Sequence, residues 1–366
     1  MDSNSKENQL PTEVAKDDAY QTALLLGNLR IFSAFLNAAV DLNLFEIIAK
    51  STRSSSSNNM CSASEIASQL PNQHPDLANR LDRMLPLLAS FSLLTCSLRT
   101  NEEEDGKSER VYALSPVGEY FAFVHDGGST APLSALMHRG FDDLWKNVKD
   151  AFIDPNNIYS EKVFGMPVYQ YTQTNKEMKD IFLKAMAHFS PLEMKMVLKK
   201  YEGFEGISTL VDVGGGVGQA LKLIISKYPK IKGINFDLPH VIHSAPPHPG
   251  IEHVGGDMFE SVPKGDAIML KLICHNWSDE KCVELLKNCH KALPQHGKVI
   301  ILDRVMLQVP NSSTTSKQAF LVDGLMFLTN GGKERTENEF ESLCRSSGFS
   351  RFHVACNEPG VIEFHK

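Results

Sequence analysis

The chain has 366 residues, of which 42% are hydrophobic and 22% charged, with a formal charge of -7. That length allows one large or two ordinary domains with a buried core, and the acidic balance argues against nucleic acid or an anionic membrane as partner, leaving small molecules. The seven cysteines (Cys61, Cys96, Cys274, Cys282, Cys289, Cys344, Cys356) are odd in number and lack C-x-x-C pairs. They read as reduced thiols, with no metal site expected.

Residues 1–18 are polar and without an apolar leader, so a disordered N-terminus is expected, and no uninterrupted apolar run of about 18 residues follows. A cytoplasmic protein is the expectation. The stretch 20–50 is rich in Leu, Ala, Ile and Phe and nearly uncharged between Ile31 and Leu44, which predicts helices buried against a second copy of the chain. The Ser/Asn run 51–59 reads as a loop. Ser62 and Glu65 form a capping box opening a short helix that ends by Pro71, and Leu77, Leu81, Met84, Leu85 and Leu88 have the spacing of a second helix. Strands at 93–97 and 110–114 flank an acidic turn, and helix, helix and hairpin together resemble a winged helix spanning 19–125. Winged helices often bind DNA, but the wing tip carries Glu102, Glu103, Glu104 and Asp105 where phosphate contact requires Lys or Arg. Dimerisation is therefore the expected use of this layer.

The remainder, 126–366, begins with a mostly helical segment, 142–200, in which Phe182, Met186 and Phe189 fall near one face. Strands at 209–213, 232–236, 251–254, 267–271 and 298–303 then alternate with helices, which predicts an α/β domain with a doubly wound, Rossmann-like parallel sheet. Two last strands, 352–355 and 361–364, surround a Pro-Gly turn; a tight hairpin cannot join parallel strands, so one of them must run antiparallel to the sheet.

The first strand ends in Asp212-Val213-Gly214-Gly215-Gly216-Val217-Gly218-Gln219, a glycine turn opening a helix. A dinucleotide fingerprint with Gly214 and Gly216 needs a third glycine at 219, where Gln219 stands. D-x-G-x-G-x-G instead resembles the S-adenosylmethionine (SAM) turn. Asp237, about twenty residues on, is placed to accept the ribose hydroxyls. Asp257 is placed for the adenine amino group and Met258 for the ring.

Longer motifs carry a family resemblance from about Asp18 to Lys366. Leu44-Phe45-Glu46-Ile47-Ile48, Gly203-Phe204-Glu205-Gly206-Ile207, Gly233-Ile234-Asn235-Phe236-Asp237-Leu238-Pro239, Cys274-His275-Asn276-Trp277-Ser278-Asp279-Glu280 and Gly331-Gly332-Lys333-Glu334-Arg335-Thr336 resemble plant phenolic O-methyltransferases of the caffeic acid and chalcone (isoliquiritigenin) type. Asn276 and the run Asp41-Leu42-Asn43-Leu44-Phe45 look most like the chalcone branch. The resemblance implies a winged-helix dimerisation layer on a SAM-dependent methyltransferase domain, a homodimer, and an aromatic acceptor. It implies His275 as general base oriented by Asp303 and Glu334, with Gly214, Gly216, Asp237, Leu238, Asp257, Met258 and Lys271 around the cofactor. Phe182, Met186, Phe189, Met326 and Thr329 would line the acceptor pocket.

A phenol has a pKa of about 10, so a base is needed at neutral pH. His275 shortly precedes a helix capped by Ser278, whose N-terminus should favour the neutral imidazole. Three positions depart from the family pattern: Asp303 stands where these types usually have Glu, Val217 where Ser or Thr is usual, and Phe189 where His is frequent. The missing methylene at Asp303 leaves three readings: a compensating backbone shift, Glu334 alone orienting His275, or a changed acceptor geometry. Phe189 leans the pocket towards flavonoids. An aromatic-amine N-methyltransferase and a noncatalytic SAM-binding dimer are the alternatives.

Overall fold

The computed structural model describes residues 16–54, 60–71, 74–100, 107–123, 128–154 and 158–366. The expected disordered terminus up to residue 15 and the four wing-tip acids lie outside the described residues. The chain divides into two units, one running to Phe141 and including Ile181–Phe189, the other comprising Asp142–Asp180 and Ser190–Lys366.

The first unit begins with α1 (Lys16–Asp41) and α2 (Leu44–Ser54), separated where Asn43 takes a left-handed φ of 53°. The short β1 (Cys61–Ser62) leads into α3 (Ala63–Ala67), α4 (Leu77–Ser90) and the wing strands β2 (Leu94–Thr100) and β3 (Ser108–Leu114), with strand order β1-β3-β2. The short helix α5 (Ala131–Ala135) follows. The capping box forms: Glu65 N donates to Ser62 Oγ at 3.3 Å and Ser62 N to Glu65 Oε2 at 2.6 Å. Leu44, Ile48, Ile66, Leu81, Leu85, Leu88 and Tyr112 close the winged-helix core. The expected burial of the first helix is not met within one chain, because Tyr20, Leu24, Leu25, Leu26, Leu29 and Ile31 are exposed. Although polar residues interrupt it, the stretch Asp18–Asp41 is long and apolar enough, at mean hydropathy 1.5, to pass for a membrane span by length and composition. From Asp18 to Ile31 the helix is exposed all round, an apolar surface of the kind that marks an interaction site.

The second unit opens with the short helices α6 (Lys149–Ile153), α7 (Tyr159–Phe164) and α8 (Val168–Thr174), then α9 (Lys176–Lys200), whose middle belongs to the first unit. Alternation follows: β4 (Thr209–Val213), α10 (Gln219–Lys227), β5 (Lys232–Asp237), α11 (Pro239–Ile242), β6 (Ile251–Gly255), β7 (Ala267–Lys271), α12 (Asp279–Ala292) and β8 (Lys298–Leu302). The chain closes with β9 (Val305–Met306), α13 (Thr314–Asn330), β10 (Arg335–Thr336), α14 (Glu337–Ser346), β11 (Arg351–Cys356) and β12 (Val361–His365). The main sheet has the order β11-β12-β8-β7-β4-β5-β6. As the hairpin argument requires, β12 runs antiparallel to β8.

Strand alternation puts Val211, Val213, Ile268, Leu270, Val299 and Ile301 against Cys282, Leu285, Leu286 and Cys289 of α12. The opposite face packs Leu210, Met269 and Ile300 on Met194 and Val197 of α9 and Leu221 and Ile224 of α10. Helices therefore cover both faces. That leaves the carboxyl edge of the parallel strands as the open side, where the glycine turn and the histidine turn both lie.

Candidate active site

At the end of β4 the turn residues Gly214, Gly216 and Gly218 all take positive φ. Gly216, at φ 58°, has no heavy atom within 4 Å of where a Cβ would stand, so its surface is open to a ligand. Its N–H donates to Asp237 Oδ2 at 2.8 Å and its carbonyl accepts from Asn235 Nδ2 at 2.9 Å; Leu238 N donates to Asp237 Oδ1 at 2.7 Å. Asp237 is thereby fixed at the end of β5 with lone pairs to spare, beside the exposed Leu238. Asp257 Oδ1 accepts from Phe259 N at 2.8 Å, and Asn288 of α12 donates to the carbonyls of Met258 and Phe259, holding that loop.

Asp212 is buried, and its Oδ2 has no hydrogen-bond partner among the described residues. Burial pushes its pKa up to about 7, with the Lys271 charge pulling the other way. Lys271 itself is held by Glu193 of α9, Nζ to Oε2 at 3.1 Å. An open glycine cradle, a fixed carboxylate on the neighbouring strand and an orphaned buried carboxylate between them fit SAM. Of the residues expected to hold it, Gly214 and Gly216 follow β4, Asp237 and Leu238 stand at the end of β5, Asp257 and Met258 follow β6, and Lys271 ends β7.

Past β7, one 3₁₀ turn, Cys274–Asn276, carries His275. Its Nδ1 lies 2.8 Å from Glu334 Oε1, with the carboxylate side chain fully buried. Glu334 N donates in turn to Asp323 Oδ1 at 2.9 Å. With Nδ1 engaged, Nε2 is the nitrogen left for an acceptor. Ser278 caps α12, as expected, by accepting from Lys281 N, but the expectation of a depressed imidazole is corrected. Burial lowers the His275 pKa, yet the hydrogen bond to Glu334 and the charges of Asp303, Glu334 and Glu193 outweigh it, and the net shift is upward. Three nearby carboxylates overcome burial and one helix end.

Asp303 stands just past β8, buried, with no side-chain hydrogen-bond partner among the described residues and its carboxylate near the His275 backbone N–H. Burial pushes its pKa up to about 6, with His275 pulling it down. Of the two acids expected to orient the ring, Glu334 bonds it and Asp303 acts on it through charge. Phe182, Met186 and Phe189 lie on the part of α9 that belongs to the first unit, and Met326 and Thr329 on α13 of the second. The Thr329 hydroxyl is spent on Leu325 O at 2.7 Å, and its carbonyl accepts from Ser160.

Several residues without an assigned role prove central. Arg335 is fully buried and donates to Cys274 O and Trp277 O, both at 2.7 Å, and to Asp279 Oδ1 at 2.9 Å, gripping the backbone on both sides of His275. A Cβ on Gly332 would lie 2.1 Å from His275 O, so only glycine allows this close approach. Glu193, Tyr169 and Asn330 also reach the site. Arg335 had a signal in sequence, a charge directly beside Glu334, whereas Glu193, Tyr169 and Asn330 had none because their partners lie on distant elements.

A doubly wound sheet with an open glycine turn on β4 and an acid-paired histidine beyond β7 defines a SAM-dependent methyltransferase. The O-methyltransferase domain model matches residues 145–350, and the O-methyltransferase dimerisation domain model matches 25–123. The chain is 46% identical to caffeic acid 3-O-methyltransferase of Prunus dulcis, covering 100% of both sequences. It is also 46% identical to O-methyltransferase 13 of Lophophora williamsii, covering 97% of each. Human N-acetylserotonin methyltransferase in complex with SAM superposes with a TM-score of 0.78 at 20% identity, over 98% of this chain and 99% of that one. CalO1, an SAH-bound methyltransferase of calicheamicin biosynthesis, does so at 0.77 and 23%, over 96% and 99%, and both likenesses speak to the fold. The chain belongs to the SAM-dependent O-methyltransferase family. Its N-terminal layer is a dimerisation domain, the use expected of it from the sequence.

Proposed function

We propose that this enzyme methylates a phenolic hydroxyl of a plant phenylpropanoid, with His275 as general base. The observation that carries the reading is the 2.8 Å contact between His275 Nδ1 and Glu334 at the carboxyl edge of the cofactor sheet. Bound SAM supplies an activated methyl group. His275 Nε2 takes the phenolic proton, Glu334 holds the ring tautomer and offsets the imidazolium charge, and Asp303 adds a second negative charge nearby. Placement and water exclusion supply the rest. The caffeic acid relatives support a phenylpropanoid acceptor; Phe189, in place of a frequent family His, favours a second reading with a larger, less polar flavonoid or chalcone. Phe182, Met186, Met326 and Thr329 complete the acceptor set.

The working form in this proposal is a homodimer in the cytoplasm, in which the exposed apolar residues of α1 pack on a second copy and not on a membrane. The test is transfer of a labelled SAM methyl to caffeate, a 2'-hydroxychalcone, an isoflavone and anthranilate, with His275→Ala alongside. Transfer to a phenol that the substitution abolishes supports the proposal. Transfer to the amine that survives it favours N-methylation, and SAM binding without transfer to any of the four refutes an active phenol methyltransferase of this class.

A further inference from the structure

The turn that carries His275 is strained. Leu272, directly after β7, adopts φ 55°, a left-handed conformation that a side chain like leucine rarely takes without outside support. The support is Asn276. Its Nδ2 donates to Leu272 O at 2.9 Å, closing a loop with His275 inside it. Its Oδ1 accepts twice, from Asn330 Nδ2 of α13 at 2.7 Å and from the Tyr169 hydroxyl of α8 at 3.1 Å. Asn276 is buried, so a lost donor there is not replaced by bulk water.

Tyr169 is placed to do more than fill space. One turn further along α8, Gln173 Nε2 lies 3.0 Å from His240 Nε2, on the short helix that follows Asp237 and Leu238. The helix α8 therefore spans from the strand end expected to hold the cofactor ribose to the turn holding the base. Tyr169 is 43% exposed as a whole, but desolvation at its hydroxyl end pushes its pKa up to about 12, so the hydroxyl stays a donor at any working pH. A phenylalanine would leave the ring in place and remove that donor.

We propose that Tyr169 is a positioning residue for methyl transfer, whose hydroxyl acts through Asn276 to hold the strained turn that aims His275. This rests on His275 being the base. The experiment compares the full-length enzyme with Tyr169→Phe, Asn276→Ala, the double substitution and His275→Ala, measuring kcat, acceptor KM, and SAH affinity by calorimetry. Tyr169→Phe is expected to lower kcat roughly five- to tenfold, the size of one hydrogen bond, with acceptor KM and SAH Kd within about twofold. In the Asn276→Ala background the same change should have no further effect. Asn276→Leu, which removes the acceptor oxygen but keeps most of the side-chain volume, serves as the background if Asn276→Ala does not fold. An unchanged kcat in Tyr169→Phe overturns the proposal, as does an equal loss in both backgrounds, which would place Tyr169 directly on the acceptor. A fully active His275→Ala overturns the base reading and this proposal with it; an inactive His275→Ala beside an unaffected Tyr169→Phe overturns this proposal alone.

Discussion

His275 and Glu334 are 59 positions apart in sequence, yet Nδ1 of one lies 2.8 Å from Oε1 of the other, with both side chains buried. The carboxylate sets which ring nitrogen faces the acceptor and favours the protonated ring. The pair therefore stabilises the fold fully below the ordinary histidine pKa of about 6.5, and that contribution fades as pH rises through the elevated folded value. For catalysis the sign is the opposite, since a base must be unprotonated.

Glu334→Gln should accordingly move the acidic limb of the kcat/KM profile to lower pH, because a carboxylate that favours imidazolium is gone, while the plateau falls roughly a hundredfold through lost orientation. A pH–rate series on both proteins checks this. A limb that stays in place would mean that His275 is not the titrating group.

Asp303→Glu should leave kcat equal or raised. The carboxylate of Asp303 has no side-chain hydrogen-bond partner among the described residues, and one more methylene extends its reach by roughly an ångström without changing its charge. Steady-state kinetics decide it. A collapse of activity would show that the shorter acid is fitted to this site.

Arg335→Leu should destabilise the protein by about 3 kcal/mol, since two carbonyls beside His275 lose charge-assisted donors in the interior. Denaturant unfolding measures the loss. Gly332→Ala should also destabilise the protein and lower kcat about tenfold or more, because the added methyl would lie 2.1 Å from the His275 carbonyl oxygen and the turn must shift to admit it.

Asp212→Asn should raise the melting temperature of the ligand-free protein, and by more at pH 8 than at pH 5. A carboxyl whose folded pKa is raised to about 7 costs stability increasingly as pH climbs from its unfolded value, and the full cost is reached only above pH 7. Thermal scans at the two pH values test the sign. A larger gain at pH 5 would contradict it.

Much of this was legible in the chain itself because it depends on local pattern. Alternation and glycine spacing determined the doubly wound sheet, the break at Gln219 separated a SAM turn from a dinucleotide turn, and Ser62 with Glu65 marked a helix start that the structure reproduces. The Pro-Gly hairpin required one of the last two strands to run antiparallel, and the structure shows it to be β12. What only tertiary structure decided was that Glu334 and not Asp303 bonds the His275 ring, and which further side chains meet: Arg335 on its backbone, Tyr169 and Asn330 on Asn276, and Glu193 on Lys271. It also reversed the expected direction of the His275 pKa, because the resemblance names Asp303 and Glu334 beside the ring without their distances and gives no sign of the third carboxylate, Glu193. Periodicity is written by the backbone along the chain, whereas charge acts through space, and the distances that govern it exist only after folding.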